Sequence, residues 1–145
     1  MKFRFSLQKI VDLKGTQKKQ AEWQLADALG ALHLEQSSLT ELLSEQRLHQ
    51  TRMQEASEKP TPIVQLQELQ EYALHLERLI AAKRSDVTRA QQTVDGKQMQ
   101  LMERSLDEKV WQKAREKAYH AHQALELKHE QETLDEIASV RFGVQ

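Results

Sequence analysis

The sequence predicts an all-α fold in which two long helices form an antiparallel coiled-coil hairpin, the second helix longer than the first. Three observations predict it. The only two prolines stand together in Lys59-Pro60-Thr61-Pro62, and apolar residues on both sides of them recur at heptad spacing. With 30% charged and 5% aromatic residues, four glycines and a mean hydropathy of −0.73, the chain has little material for a layered core. It reads as a single coiled-coil domain over 1–145, with helix 1 at about 5–57, a turn at about 58–61 and helix 2 at about 62–141.

The turn follows from proline chemistry. Proline lacks a backbone donor and disfavours helical geometry in the residue before it, so Lys59 closes the first helix. Thr61 is predicted as the N-cap of the second helix and Pro62 as its first residue, where the missing N–H would be unpaired anyway. So short a connection folds two long amphipathic helices back on each other.

Helix 1 opens with Ser6 as a predicted N-cap and apolar Leu7, Ile10, Val11 and Leu13; Gly15 then costs about 1 kcal/mol relative to alanine. One heptad position runs Lys18, Leu25, Leu32, Leu39, Gln46, Met53, and the other Ala21, Ala28, Glu35, Leu42, His49, Ala56. The seam turns polar at Gln46 and His49, which predicts a weaker end beside the turn.

Helix 2 places Leu66, Ala73, Ile80, Val87, Val94 and Leu101 at one position and Leu69, Leu76, Lys83, Ala90, Lys97 and Arg104 at the other. The basic residues imply a narrow seam covered by their aliphatic stems. Beyond Leu101 the apolar pattern implies a phase slip onto Leu106, Val110, Ala114, Ala118, Ala121 and Leu125. The helix continues through Leu134 and Ile137 and is predicted to stop at Gly143 in the left-handed conformation.

Folding at the prolines pairs residues whose numbers total about 119, which sets Leu25 near Val94, Leu32 near Val87, Leu39 near Ile80 and Leu7 near Gln112. Residues from about 117 onward then lack a partner within the chain, an overhang of roughly 35 Å. Its apolar stripe is a docking surface.

A formal net charge of −1 argues against nucleic acid as a partner. The charge is nonetheless uneven. Residues 1–20 carry six basic side chains against Asp12 alone, whereas 120–145 carry five acidic against Lys128 and Arg141. The absence of cysteine excludes a disulfide framework, and no apolar run approaches a membrane span, so a soluble cytoplasmic protein without direct membrane insertion is expected.

No phosphate loop surrounds Gly96-Lys97. A metal site would need a second copy of the Glu126-x-x-His129 pattern, so no metal or cofactor is expected. Nor does a pair of helices offer a water-excluding pocket for catalysis. Tyr72, Leu76, Leu79 and Lys83 step by four, three and four along helix 2, a spacing suited to partner docking beside the seam.

The chain resembles the flagellar export protein FliJ family. The likeness rests on Phe3-Arg4-Phe5-Ser6-Leu7 followed by Ile10-Val11-Asp12-Leu13-Lys14, on Gln70-Glu71-Tyr72 with Leu76-Glu77 after the break, and on Leu134-Asp135-Glu136-Ile137-Ala138. The resemblance implies a non-enzymatic stalk of the flagellar type III export apparatus whose ends sit in the export ATPase hexamer. It also implies contact with the cytoplasmic side of the membrane export gate and with export chaperones. Carried over by position, the gate contact falls on Leu42, Tyr72, Leu76, Leu79 and Lys83. The ATPase contact is expected at Phe5, Leu7, Lys9, Lys14, Ala118, Ala121, Leu125, Asp135, Glu136 and Ile137. Alternatives are the stalk of a virulence-type type III secretion system or a general coiled-coil scaffold.

Overall fold

Uninterrupted helical periodicity on either side of one proline pair leaves the chain two elements. In the computed structural model, which describes residues 2–143, these are α1 (Gln8–Ser57) and α2 (Ile63–Gly143), packed against each other as a hairpin with the second longer. Two compact units divide the chain: residues 22–100, which contain the turn, and residues 1–21 with 101–145, which contain both ends.

The caps differ from the sequence reading. The first turn of α1 is closed by the Val11 N–H bonding the Leu7 carbonyl, so Leu7 caps the helix and Ser6 lies one residue outside it. At the turn, the Leu66 N–H bonds the Pro62 carbonyl, which makes Pro62 the cap of α2. Thr61 serves α1 instead. Its hydroxyl donates to the carbonyls of Ala56 at 2.7 Å and Lys59 at 3.1 Å, satisfying acceptors that the end of a helix leaves open. Gly143 belongs to α2, and no described glycine has a positive φ, so the left-handed stop predicted there does not form.

In the unit 22–100, Ala28, Leu32 and Val94 form a buried cluster with Leu25, Val87 and Ala90 packed against it. This is the predicted register, with Leu25 and Val94 together and Leu32 beside Val87. Cross-helix bonds from Glu35 to Lys83 and from Glu45 to Tyr72 continue it toward the turn.

In the unit of the chain ends the pairing reaches further along α2 than predicted. Gln8 bonds Arg115, and Phe3 packs on Tyr119 and His122, so Tyr119 and His122, beyond residue 117, do have intrachain partners. A register counted from the turn accumulates every small difference in pitch. Side chains also lean toward their own N-termini, which brings α2 residues of higher number into contact.

Of the stripe predicted beyond Leu101, Ala114 and Ala118 are half-buried and the rest is not. Leu101, Glu108 and His122 are half-buried at one seam position, with Arg115 exposed between the last two, and Arg104, Trp111 and Ala118 are half-buried at the other. Leu106, Val110, Ala121 and Leu125 are exposed. The misreading has a physical cause: polar side chains fill the seam here, so counting apolar residues alone follows the outer face. Gly15 allows one such filling, because a Cβ there would stand 3.3 Å from Glu108 Oε2.

Candidate docking surfaces

The first surface lies in the unit 22–100 beside the turn. Heptad spacing turns Leu76 and Ile80 inward, and Leu76, at 2% exposure, is among the most enclosed side chains. Tyr72 and Leu79 stand at the edge of the seam and remain partly accessible. Of the predicted ridge, therefore, Leu76 and Lys83 lie within the seam, while Tyr72 and Leu79 offer surface; Leu42 is half-buried on α1.

Polar chemistry fixes Tyr72 in place. Its hydroxyl donates to Glu45 Oε1 at 3.2 Å, and the same carboxylate lies 3.6 Å from Arg52. The ring stands edge-on to His49 at 4.7 Å between centroids, with His75 on its other flank at 6.3 Å. His49 is 3% exposed, and its Nε2–H donates to the Leu69 carbonyl at 2.7 Å. That bond satisfies a polar group that would otherwise destabilise the seam. Burial, then the hydrogen bond to Glu45, raises the Tyr72 phenol above its ordinary pKa.

Lys83 lays its stem along the seam and places Nζ 3.0 Å from Glu35 Oε2 and 3.7 Å from Asp86 Oδ2. The Glu35 hydrogen bond raises its pKa against the opposing effect of burial. Tyr72 and Leu79 are thus exposed on α2 beside paired charges.

The second surface belongs to the unit of the chain ends. Phe3 precedes α1 and is clasped by α2: it meets Tyr119 edge-on at 5.2 Å, tilts against His122 at 5.5 Å, and carries the Arg115 guanidinium 5.8 Å above its ring. Arg115 is in turn held by Gln8, which accepts from its Nε at 2.7 Å. His122 Nε2 lies 3.2 Å from Glu126 Oε1.

The basic N-terminal charge is partly spent inside the fold. Lys14 pairs with Asp107 at 2.8 Å and Lys18 with Glu108 at 3.6 Å, whereas Lys2, Arg4, Lys9 and Lys19 make no ion pair among the described residues. The other expected contacts are scattered. Phe5 is half-buried, Leu7 and Lys9 are exposed, Ala118 is half-buried in the seam, and Ala121, Leu125, Asp135, Glu136 and Ile137 are exposed on α2.

Two features escaped sequence reasoning. The Phe3 clasp had no periodic signal because Phe3 stands outside the helix. Continuing the heptad through Glu108 and Arg115 would have placed Arg115, Ala118 and His122 on one face. The His49–Tyr72 pair was hidden because a polar residue at a seam position was read as weakness.

Among the described residues no cluster of histidine, cysteine or carboxylate side chains could hold a metal ion. Among them, too, no helix is long and apolar enough to cross a membrane.

No curated protein matches the sequence. Among solved structures, the fold is similar to that of the YscO homologue CT670 from Chlamydia trachomatis, with a TM-score of 0.77 and 17% sequence identity over 99% of this chain and 97% of that one. A family model described as "Flagellar FliJ protein" matches residues 2–145, and the chain therefore belongs to the FliJ family of coiled-coil proteins of type III export.

Proposed function

We propose that the chain is a non-enzymatic stalk and adaptor of flagellar type III export, with its ends engaging the export ATPase hexamer and its turn-side surface engaging the export gate. The observation that carries this reading is the stretch of α2 beyond His122, where Leu125, Leu134 and Ile137 are exposed on about 30 Å of helix. Apolar surface left in water favours association with whatever covers it. Lys2, Arg4 and Lys9 near the same end, which make no ion pair among the described residues, would steer the approach to an acidic rim.

In this reading Tyr72 and Leu79 form the gate contact, with Leu42, Leu76 and Lys83 supporting them from the seam. Export chaperones are further partners. The protein would then work in the cytoplasm, held peripherally at the inner face of the membrane by the export apparatus. A second reading, the stalk of a virulence-type secretion system, draws support from the fold shared with the YscO homologue.

The test separates the two surfaces. A full-length chain carrying Leu125→Asp and Ile137→Asp should lose stimulation of ATP hydrolysis while still binding the gate, and Leu79→Asp should do the reverse. Full stimulation by the first variant would remove the ends as the coupling element.

A further inference from the structure

The face of α2 turned away from α1 carries a pattern that the seam does not use and that the export reading draws on only at Leu134 and Ile137. Counting in sevens, Leu106, Lys113, His120, Leu127 and Leu134 share one outer position, and Met102, Lys109, Glu116, Gln123, Glu130 and Ile137 share the next. All are exposed, including Met102 at 64% and Leu106 at 56%, with Val110 beside them at 64%. Apolar residues cluster at both ends of the strip. On the strip itself Lys109 and Lys113 stand in the first half with one carboxylate, Glu116, and Glu130 stands in the second; Lys117 flanks the first half, and Lys128, Glu132, Asp135 and Glu136 flank the second. Lys109, Lys113 and Lys117 make no ion pair among the described residues.

We propose that this face pairs with the same face of a second copy, antiparallel, about a twofold axis near residues 121 and 122. Heptad geometry then sets Leu106 opposite Ile137 of the second copy, Lys113 opposite Glu130, and His120 opposite Gln123, each pairing occurring twice. The stem of Lys109 lies over Leu134. A parallel pairing would set Lys113 against Lys113 and Glu130 against Glu130, so the charge pattern selects the antiparallel partner and rejects the parallel one. The occupant is a second copy because one chain supplies both Lys113 and Glu130, at the two positions that an isologous antiparallel contact brings together.

The mass of the full chain, followed by light scattering against protein concentration at low salt, tests the proposal. The parent should move from monomer to dimer. Lys113→Glu and Glu130→Lys should each weaken the dimer by about tenfold, since each reverses two modest ion pairs, and the double variant should dimerise again. Helicity by circular dichroism should stay unchanged, because both positions are exposed. A parent that stays monomeric at every concentration would overturn the proposal and leave the strip to a different partner. So would a dimer indifferent to the single reversals, or a double variant that fails to recover.

Discussion

The unit around the turn and the unit of the chain ends share one heptad frame and fill it differently. In residues 22–100 the seam holds Ala28, Leu32, Leu76, Ile80 and Val94, all buried, with His49 as its enclosed polar member. In residues 1–21 and 101–145 the seam is carried by half-buried Arg104, Glu108 and Trp111, with Lys14 bound to Asp107 and Arg104 Nη1 donating to Gln17 at 3.3 Å. Among the described residues there, the buried apolar one is Ala21. Apolar burial is non-directional and scales with area, whereas exposed ion pairs contribute little and weaken with salt. The turn unit is accordingly the stable clamp, and the end unit is held by contacts that a partner could exchange for its own.

The sharpest way to break this contrast is one substitution in each seam. Leu32→Asp buries an unpaired carboxylate in the apolar cluster and should cost several kcal/mol, seen as a large fall in melting temperature. Arg104→Ala should cost about 1 kcal/mol. Equal losses from the two would show that the units are not differently built.

Next in size is His49→Ala, which leaves a cavity and takes away the donor to the Leu69 carbonyl; about 1–3 kcal/mol of destabilisation is expected in urea unfolding. A neutral result would mean that the enclosed histidine contributes nothing to the clamp and that the seam is indeed weak there.

A smaller effect concerns pH. Tyr72 and Lys83 both have folded pKa values raised above 10.0 and 10.5, so each favours its protonated form in the fold. Their stabilisation is complete below those values and is lost as pH rises through the folded ones. The melting temperature should therefore decline from about pH 10 upward, and less steeply in Tyr72→Phe. A parent curve identical to that of the variant would remove Tyr72 as a contributor.

The smallest expected change is a gain. Gly30 and Gly96 lie inside the helices with nothing within 4 Å of an added Cβ, so Gly30→Ala and Gly96→Ala should each stabilise by about 0.5–1 kcal/mol. Destabilisation by either would point to a surface whose neighbour the single chain lacks.

The sequence by itself determined the two helices, the break at Pro60 and Pro62, the heptad positions from Lys18 to Ala56 and from Ala73 to Arg104, and the meeting of Leu25 with Val94. Those follow from proline's missing donor and from periodicity, both local properties of a chain. Only the tertiary structure decided that Thr61 closes α1 instead of capping α2, that the seam continues through Glu108 and Trp111, and that Phe3 is clasped by Tyr119, His122 and Arg115. In each case a polar or isolated side chain found its partner across the hairpin. The identity of that partner is a matter of geometry between the two helices, which no spacing along one of them encodes.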